Sequence, residues 1–261
     1  CVPAIVPSDY FNPLLYTGNG STQSIDDLTF APDLVWIKQR SGSASHSLQD
    51  TVRGAGQSKN IYSDDTAAEG TYGIYGYLSS FDTNGFSVAV GSGSHTNSNG
   101  STYVAWNWKA TATTNTIASD VRANVDAGFS IVKWTGGSGT VGHGLDSAPE
   151  IIFTKVTNTA DNWVVYNNTI GATKALYLDL TLAAATNSTY WSDTNPSSSV
   201  FTLGSSFNSS NNFIAYCFTS IPGFSDVGSY IGLGSSGNPV IVTGFRPAFV
   251  MIKNTTTGST S

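Results

Sequence analysis

Residues 32–38 read Pro-Asp-Leu-Val-Trp-Ile-Lys, and this stretch decides the fold. The proline cannot donate a hydrogen bond to a strand ladder, so it suits the start of a strand. The apolar residues that follow occupy both alternating positions, which is typical of a strand covered on both faces. Val, Ile, Thr, Tyr, Phe and Trp are plentiful in the rest of the chain, whereas strong helix formers are scarce. The sequence therefore predicts an all-β protein.

The phrase at 32–38 occurs three times. Residues 149–155 read Pro-Glu-Ile-Ile-Phe-Thr-Lys and residues 247–253 read Pro-Ala-Phe-Val-Met-Ile-Lys, with the lysine six positions after the proline each time. Successive prolines are 117 and 98 residues apart, a spacing too long for a solenoid repeat and suited to a small sandwich domain. A late aromatic strand, at 103–108 and at 213–218, completes each of the first two copies.

These copies predict tandem β-sandwich domains, each made of two antiparallel sheets. Polar or Pro/Gly-containing stretches at 109–119 and 221–229 are expected to connect them. The third copy stops where the first two continue, and the chain opens on Cys in place of Met, so we expect a fragment of a longer polypeptide. The predicted divisions are 1–118 for the first repeat, 119–224 for the second, and 225–261 for the start of a truncated third.

The alternation of apolar residues predicts further strands. Residues 85–90 and 200–203 are a second matched pair of strands, and Asn84-Gly85 is a typical turn signal. Trp106 and Trp108 are two positions apart, so they share one face of their strand. We expect their rings to fill the core between the two sheets of the first repeat.

The composition excludes several classes of function. Only 11% of residues are charged and the net charge is −6, which argues against a nucleic-acid partner. No stretch approaches the roughly 20 apolar residues that a membrane-spanning helix needs, so we expect no membrane insertion. The two cysteines, Cys1 and Cys217, exclude a disulfide framework, and Cys217 lies in an apolar run that predicts a buried thiol.

The titratable residues suggest no catalytic centre. His46 aligns with Trp163 in the second copy, which predicts a packing position, while His95 and His143 lie in Gly/Ser-rich stretches typical of solvated loops. The sequence contains none of the hydrolase or metalloprotease motifs that pair a nucleophile or metal with a histidine. We therefore predict no catalytic residue, no cofactor and no enzymatic activity.

The charged residues are also predicted to be structural. Asp50 and Arg53 are expected to form a local structural ion pair, and the uncharged residues at the matching positions of the second copy imply no chemistry shared by the two copies. The acidic doublets at 26–27 and 64–65 lack the alternating spacing of a calcium loop, so we predict solvated turns and no metal site.

Aromatic side chains in polar loops are the best candidates for a binding site. Sugar rings stack on aromatic faces while their hydroxyls meet polar neighbours. The alternative is that these rings cover the core beneath a large loop. The candidate glycan-binding residues are Tyr72, Tyr75, Tyr190 and Trp191.

Several phrases together resemble a domain that recurs in structural proteins of tailed bacteriophages, often described as tail or fibre proteins of unknown function. They are residues 9–12, 16–20, 32–40, 50–54, 103–109 and 222–225. The resemblance covers nearly the whole chain and implies a jelly-roll or concanavalin-like sandwich. Functional residues are not established in that group, so the resemblance implies no site.

The leading functional prediction is a non-enzymatic virion component, part of a tail fibre or a capsid-attached appendage. Its expected location is the extracellular virion, and its expected partners are other virion proteins, a host-surface glycan and further copies of itself. One alternative is a carbohydrate-binding module of a secreted hydrolase. Another is a depolymerase fibre whose carboxylates cut host polysaccharide.

Overall fold

The computed structural model describes residues 5–112, 117 and 119–258. Every strand pair in it is antiparallel, which confirms the all-β prediction. We call the strands up to residue 108 the first module, the strands from 111 to 218 the second module, and residues 219–258 the tail. The first module contains β1 (Phe11–Thr17), β2 (Gln23–Ile25), β3 (Leu34–Gln39), β4 (Ser47–Asp50), β5 (Ile61–Tyr62), β6 (Gly76–Asp82), β7 (Gly85–Val90) and β8 (Thr102–Trp108).

The second module has the same kinds of element. Its strands are β9 (Thr111–Ala112), β10 (Asp120–Asn124), β11 (Phe129–Thr135), β12 (Gly139–Gly142), β13 (Ile151–Val156), β14 (Val164–Asn167), β15 (Lys174–Tyr177), β16 (Ala185–Thr186), β17 (Val200–Leu203) and β18 (Asn212–Phe218). Helical structure among the described residues is limited to α1 (Ser188–Trp191) and the 3-10 turns Pro7–Asp9, Gln57–Lys59, Gly73–Tyr75, Ser205–Phe207 and Gly234–Ser236.

The two modules have the same strand order. The large sheet of the first module runs β1-β8-β3-β4-β5, and the eight-stranded sheet of the second contains the matching series β11-β18-β13-β14-β15. The smaller sheets are β2-β7-β6 and β12-β17. Strand register also matches. Trp36 of β3 lies opposite Trp106 of β8, and their counterparts in the second module, Phe153 of β13 and Tyr216 of β18, also lie opposite each other. The first two Pro-to-Lys phrases are therefore equivalent central strands.

The sheets form four layers with three hydrophobic cores between them. One core lies between the two sheets of the first module and another between the two sheets of the second. The third core lies between the two large sheets, and thus between the modules. Strands β3 and β13 are each covered by a core on both faces, as their continuous apolar sequence predicts.

Equivalent faces of the two modules meet at the central core. Trp36 and its counterpart Phe153 both contribute to it, and so do Leu48 and its counterpart Val165. Trp108 also packs there, with Trp106 against its edge. The expectation that these two tryptophans fill the core within the first repeat is wrong. The side chains at the other alternating positions of β8 are the ones that face the small sheet.

Hydrogen bonds to backbone carbonyls also join the modules. Trp163 Nε1 donates to Tyr62 O at 2.7 Å, and Glu69 N donates to Thr157 O at 2.8 Å. Asp161 N donates to Thr66 O at 2.9 Å. These bonds satisfy polar groups at the margin of an apolar interface, where leaving them unpaired would be costly. The stretch after residue 108 is likewise built into the second module, since β9 pairs with β10.

The third Pro-to-Lys phrase lies outside any sheet, which corrects the expectation of a third equivalent strand. Residues 247–253 are irregular, and Val250 and Ile252 are both 66% exposed. In the first two copies the phrase pairs with a late strand that follows it, and the described part of the tail supplies none. Phe249 instead packs against Phe11, Trp36, Trp106 and Trp108 at the edge of the central core.

Candidate functional site

Two of the sequence-predicted tyrosines come together in an aromatic cluster on the first module. Tyr72 precedes the 3-10 turn Gly73–Tyr75 and Tyr75 ends it, and their rings stack with centroids 6.0 Å apart and an interplanar angle of 29°. His95 packs edge-on against Tyr75 at 5.3 Å and against Tyr62 at 5.0 Å. We call Tyr62, Tyr72, Tyr75 and His95 the tyrosine platform.

Buried hydrogen bonds hold the platform in place. Tyr62 Oη donates to Tyr72 O at 3.0 Å and lies 3.1 Å from His95 Nδ1. Asn60 Nδ2 donates to Tyr62 Oη at 2.7 Å and to Gly76 O at 3.1 Å, and Asn60 is fully buried. These bonds fix Tyr62 and the backbone of Tyr72, and the rings of Tyr72 and Tyr75 pack against Tyr62 and His95.

Close backbone approach determines the shape of the loops beneath the rings. Gly76 has a φ of +120°, and a Cβ there would lie 2.4 Å from Thr96 Oγ1. A Cβ on Gly73 would lie 1.9 Å from Gln57 O. Only glycine fits both positions, so these two residues set the height and tilt of the tyrosines.

The outer side of the platform is accessible and carries a charge. Tyr75 is 36% exposed and its neighbour Ile74 is 52% exposed. Asp64 is exposed nearby and accepts a hydrogen bond from His46 N at 2.9 Å. Burial lowers the pKa of His95, and the charge of Asp64 opposes that change only partly. An accessible aromatic surface beside a carboxylate has the chemistry that recognises a sugar ring and its hydroxyls.

The other two sequence-predicted residues lie on α1 of the second module. Trp191 is 1% exposed and contacts Tyr166, Phe201 and Phe207 in the core. Trp191 therefore has no accessible face for a sugar, and its prediction as a binding residue is corrected. Its indole fills the space between the eight-stranded sheet and the small sheet.

Tyr190 packs at the margin of the same core, with its ring centroid 5.9 Å from that of Phe207, and lines a groove of about 180 Å³. Its hydroxyl lies 3.5 Å from Tyr177 Oη, and Lys155, Asn162 and Ser206 share the groove. Burial raises the pKa of Tyr190, so its hydroxyl stays protonated at neutral pH. The groove is polar and narrow, and it lacks the stacked rings of the first module.

Tyr75 and Tyr190 occupy corresponding places in the two modules. Each lies on a short helical turn between the last strand of the large sheet and a strand of the small sheet. Each tyrosine also packs against a ring in the segment that follows a matching strand of the small sheet. Tyr75 packs against His95, which follows β7, and Tyr190 packs against Phe207, which follows β17. The repeat thus places an aromatic residue at the same end of both sandwiches, and the first module exposes it more.

The remaining histidines have structural positions. His143 is fully buried, with Nε2 3.1 Å from Ser197 O and Nδ1 accepting from Leu145 N at 3.1 Å. Its prediction as a solvated loop residue is wrong, whereas His95 does lie in a loop and is half-buried there. His46 packs against Trp36 with ring centroids 6.3 Å apart, in agreement with its predicted packing position. Neither His46 nor His143 meets a nucleophile in these contacts.

The predicted ion pair of Asp50 and Arg53 is confirmed, and it belongs to a larger network that also includes Tyr216 and Glu69. Arg53 Nε lies 2.6 Å from Asp50 Oδ2, and Tyr216 Oη of the second module donates to the same oxygen at 2.8 Å. Arg53 Nη1 also contacts Glu69 at 3.1 Å. Burial would lower the pKa of Arg53, but Asp50, Tyr216 and Glu69 raise it overall. The sequence could not reveal Tyr216 as a partner, because it lies 166 residues from Asp50.

The described residues form neither a metal-ligand cluster nor a membrane-spanning helix. No group of three or more His, Cys, Asp or Glu residues in this part of the chain is placed to hold a metal ion. No helix among the same residues is long and apolar enough to cross a membrane. Cys217 is a free and buried thiol, and burial raises its pKa to about 12.

A comparison with protein families finds a match that spans residues 6–260 and covers both modules and the tail. The chain belongs to the family DUF7483, a domain of unknown function. No curated protein and no solved structure matches it. The DUF7483 match carries no statement about substrate, partner or location. The resemblance to bacteriophage structural proteins therefore stays a prediction.

Proposed function

We propose that this DUF7483 protein is a non-enzymatic binding component of a bacteriophage virion, part of a tail fibre or capsid-attached appendage, that attaches to host-surface glycans through the tyrosine platform. The observation that carries the proposal is the accessible stack of Tyr72 and Tyr75, which packs on Tyr62 and His95, the two platform residues that feel the charge of Asp64. Aromatic stacking combined with polar neighbours is the usual chemistry of sugar recognition.

The use of the titratable residues supports binding over catalysis. Asp50 and Arg53 are paired with each other, and both ring nitrogens of His143 contact backbone groups. Lys155 donates to two backbone carbonyls. In these positions the groups stabilise the fold, and each is committed to a fixed partner. The proposed partners are host glycans, other virion proteins and further copies of the chain, and the proposed location is the extracellular virion.

A glycan array tests the binding proposal with Tyr75→Ala. Replacing the exposed ring removes the stacking surface, so we expect at least a tenfold loss of signal on the glycans that the unchanged protein binds. Tyr230→Ala is the matched control, because Tyr230 is 45% exposed in the tail. Equal binding by a folded Tyr75→Ala variant would remove the platform as the site. Immunogold imaging of phage particles tests the location separately, and particles without label would refute the virion assignment.

A further inference from the structure

The tail exposes large apolar side chains next to unpaired backbone. Ile231, Val240 and Val242 are 85%, 86% and 84% exposed. Among the described residues, none forms a backbone-to-backbone hydrogen bond with residues 226–253. Exposed apolar residues with free backbone donors and acceptors are typical of a surface that another strand covers.

The tail carries the sequences of two strands of a large sheet. Residues 230–232 read Tyr-Ile-Gly, and they match residues 16–18 at the end of β1 and residues 134–136 at the end of β11. The aromatic residue stands 16, 15 and 17 positions before the proline in the first, second and third copies. Residues 224–231 are therefore the counterpart of β1 and β11, and the Pro-to-Lys phrase at 247–253 is the counterpart of β3 and β13.

The strand that joins these two counterparts is absent from the described part of the tail. In the orders β1-β8-β3 and β11-β18-β13, the late strand lies between the other two and pairs with both. Strands β8 and β18 are thus hydrogen-bonded along both edges. Neither this chain nor a second folded copy can supply one of them to the tail without opening a module.

One side chain of the third phrase already contacts the core that the first two phrases share. Phe249 stands two positions after its proline, as Leu34 and Ile151 do in the earlier copies. All three pack in or against the central core. Phe249 contacts Trp106 with ring centroids 5.4 Å apart. The third phrase is therefore anchored to the modules through the equivalent position, while the residues after it are free to pair.

The two late strands define the chemistry of the missing strand. Trp106 and Tyr216 occupy equivalent positions and face the central core, and large apolar residues alternate with them on that face. Ala105 and Ala215 precede them and face the small sheets. A matching segment is extended, has large apolar or aromatic residues at alternating positions of one face and a small residue in the middle of the other, and has no proline.

We propose that the tail is a strand acceptor, which binds such an extended segment of another polypeptide between residues 224–231 and residues 247–253. The bound strand pairs with both segments, and its backbone groups satisfy the donors and acceptors that are now free. Val250 and Ile252 match Val35 and Ile37 of the first module, so they become covered on the small-sheet side. This surface differs from the tyrosine platform, and the proposal does not depend on glycan binding.

A synthetic peptide with the sequence of residues 101–109 of this chain tests the proposal on the full chain. Fluorescence anisotropy of the labelled peptide measures binding, and hydrogen exchange locates it. We expect the peptide to bind and to protect the amides of 224–231 and 247–253 together, because the late strand pairs on both sides in each module. The same peptide with Ala105→Pro should bind at least tenfold more weakly, because proline cannot adopt a central ladder position.

Variants of the exposed phrase locate the contact independently. Val250→Glu and Ile252→Glu are each expected to weaken peptide binding at least tenfold, and both residues are 66% exposed, so the modules should fold as before. Leu15→Glu is the matched control, because Leu15 is 65% exposed on β1, a strand at the edge of the first large sheet. It should leave peptide binding unchanged.

Several results would overturn the inference. Absence of peptide binding, or equal binding of the proline peptide, would show that the tail accepts no strand of this type. Loss of binding in Leu15→Glu alone would move the peptide to the edge of β1. Protection of 247–253 without peptide, in a chain that sediments as a dimer, would show that a second copy covers the tail.

Discussion

The lysine that ends each of the first two Pro-to-Lys phrases has a structural role that explains their equal length, whereas Lys253 at the end of the third donates to Leu180 O. Lys38 Nζ donates to Ala44 O at 2.6 Å and Lys155 Nζ donates to Asp161 O at 2.7 Å, so each lysine bonds the carbonyl six residues further on. Lys155 also donates to Thr66 O at 2.9 Å. Each lysine closes the loop that follows its strand, and Lys155 additionally joins the modules.

Burial of Lys155 predicts a pH dependence of stability. Burial lowers the pKa of Lys155 to about 8, well below its ordinary value. Between this pKa and the higher value of the unfolded chain, the unfolded state binds more protons, so stability rises with pH. We expect the free energy of unfolding to increase by about 2 kcal/mol between pH 7.5 and 9.5.

Chemical denaturation at a series of pH values measures this effect. Lys155→Met should flatten the rise, whereas Lys174→Met, which changes an exposed lysine, should keep it. A parallel rise in Lys155→Met and the unchanged protein would show that Lys155 is not the group responsible.

Trp36 contributes more to stability than any isolated surface residue could. Its indole is 7% exposed in the central core and packs against Trp106 and Trp108. Trp36→Ala removes this buried surface and leaves a cavity, so we expect a loss of about 3–5 kcal/mol in the free energy of unfolding. Urea denaturation measures it, and a loss under about 1 kcal/mol would show that the central core is not closely packed there.

At the level of elements, the sequence predicted what depends on local pattern. The continuous apolar run of β3 and its recurrence as β13 correctly indicated strands covered on both faces. The third phrase carries the same pattern but forms no strand in the tail, because a strand needs a ladder partner as well as an apolar sequence. Local pattern therefore identifies a potential strand, and the neighbouring strand decides whether it forms.

The candidate site was predictable only in part for the same reason. The exposed tyrosines Tyr72 and Tyr75 could be selected as aromatic residues in a polar loop. The contribution of Tyr62 and His95 depends on a contact between β5 and the loop that follows β7, and the sequence separation of the two residues does not indicate this contact. Trp191 looked the same as Tyr190 in the sequence, but the short helix α1 buries Trp191 in the core and leaves Tyr190 partly exposed at the groove.

The bond between Tyr216 and Asp50 joins β18 of one module to β4 of the other. Tyr216 is buried, and burial raises its pKa, so the hydroxyl remains a donor. Tyr216→Phe keeps the ring and removes a hydrogen bond to a buried carboxylate, so we expect a loss of about 1.5–3 kcal/mol. Urea denaturation measures the loss, with the exposed Tyr230→Phe as control. A loss equal to that of the control would show that the bond does not stabilise the interface.

For the whole molecule, the central core makes the two modules one structural unit. A pair of separate sandwiches would each bury its own core and expose the tryptophan-bearing face of its large sheet. Here the equivalent faces cover each other, and backbone and side-chain bonds close the margins of the interface. This arrangement fixes the tyrosine platform of the first module relative to the second module.

Differential scanning calorimetry tests the central claim, that the modules share one core, most directly. We predict a single transition whose calorimetric and van't Hoff enthalpies agree. Unfolding of either module would expose the face of the other module that the central core covers. Phe153→Ala in the second module should lower the temperature of that single transition. Two resolved transitions, one of them unchanged in Phe153→Ala, would contradict the shared core.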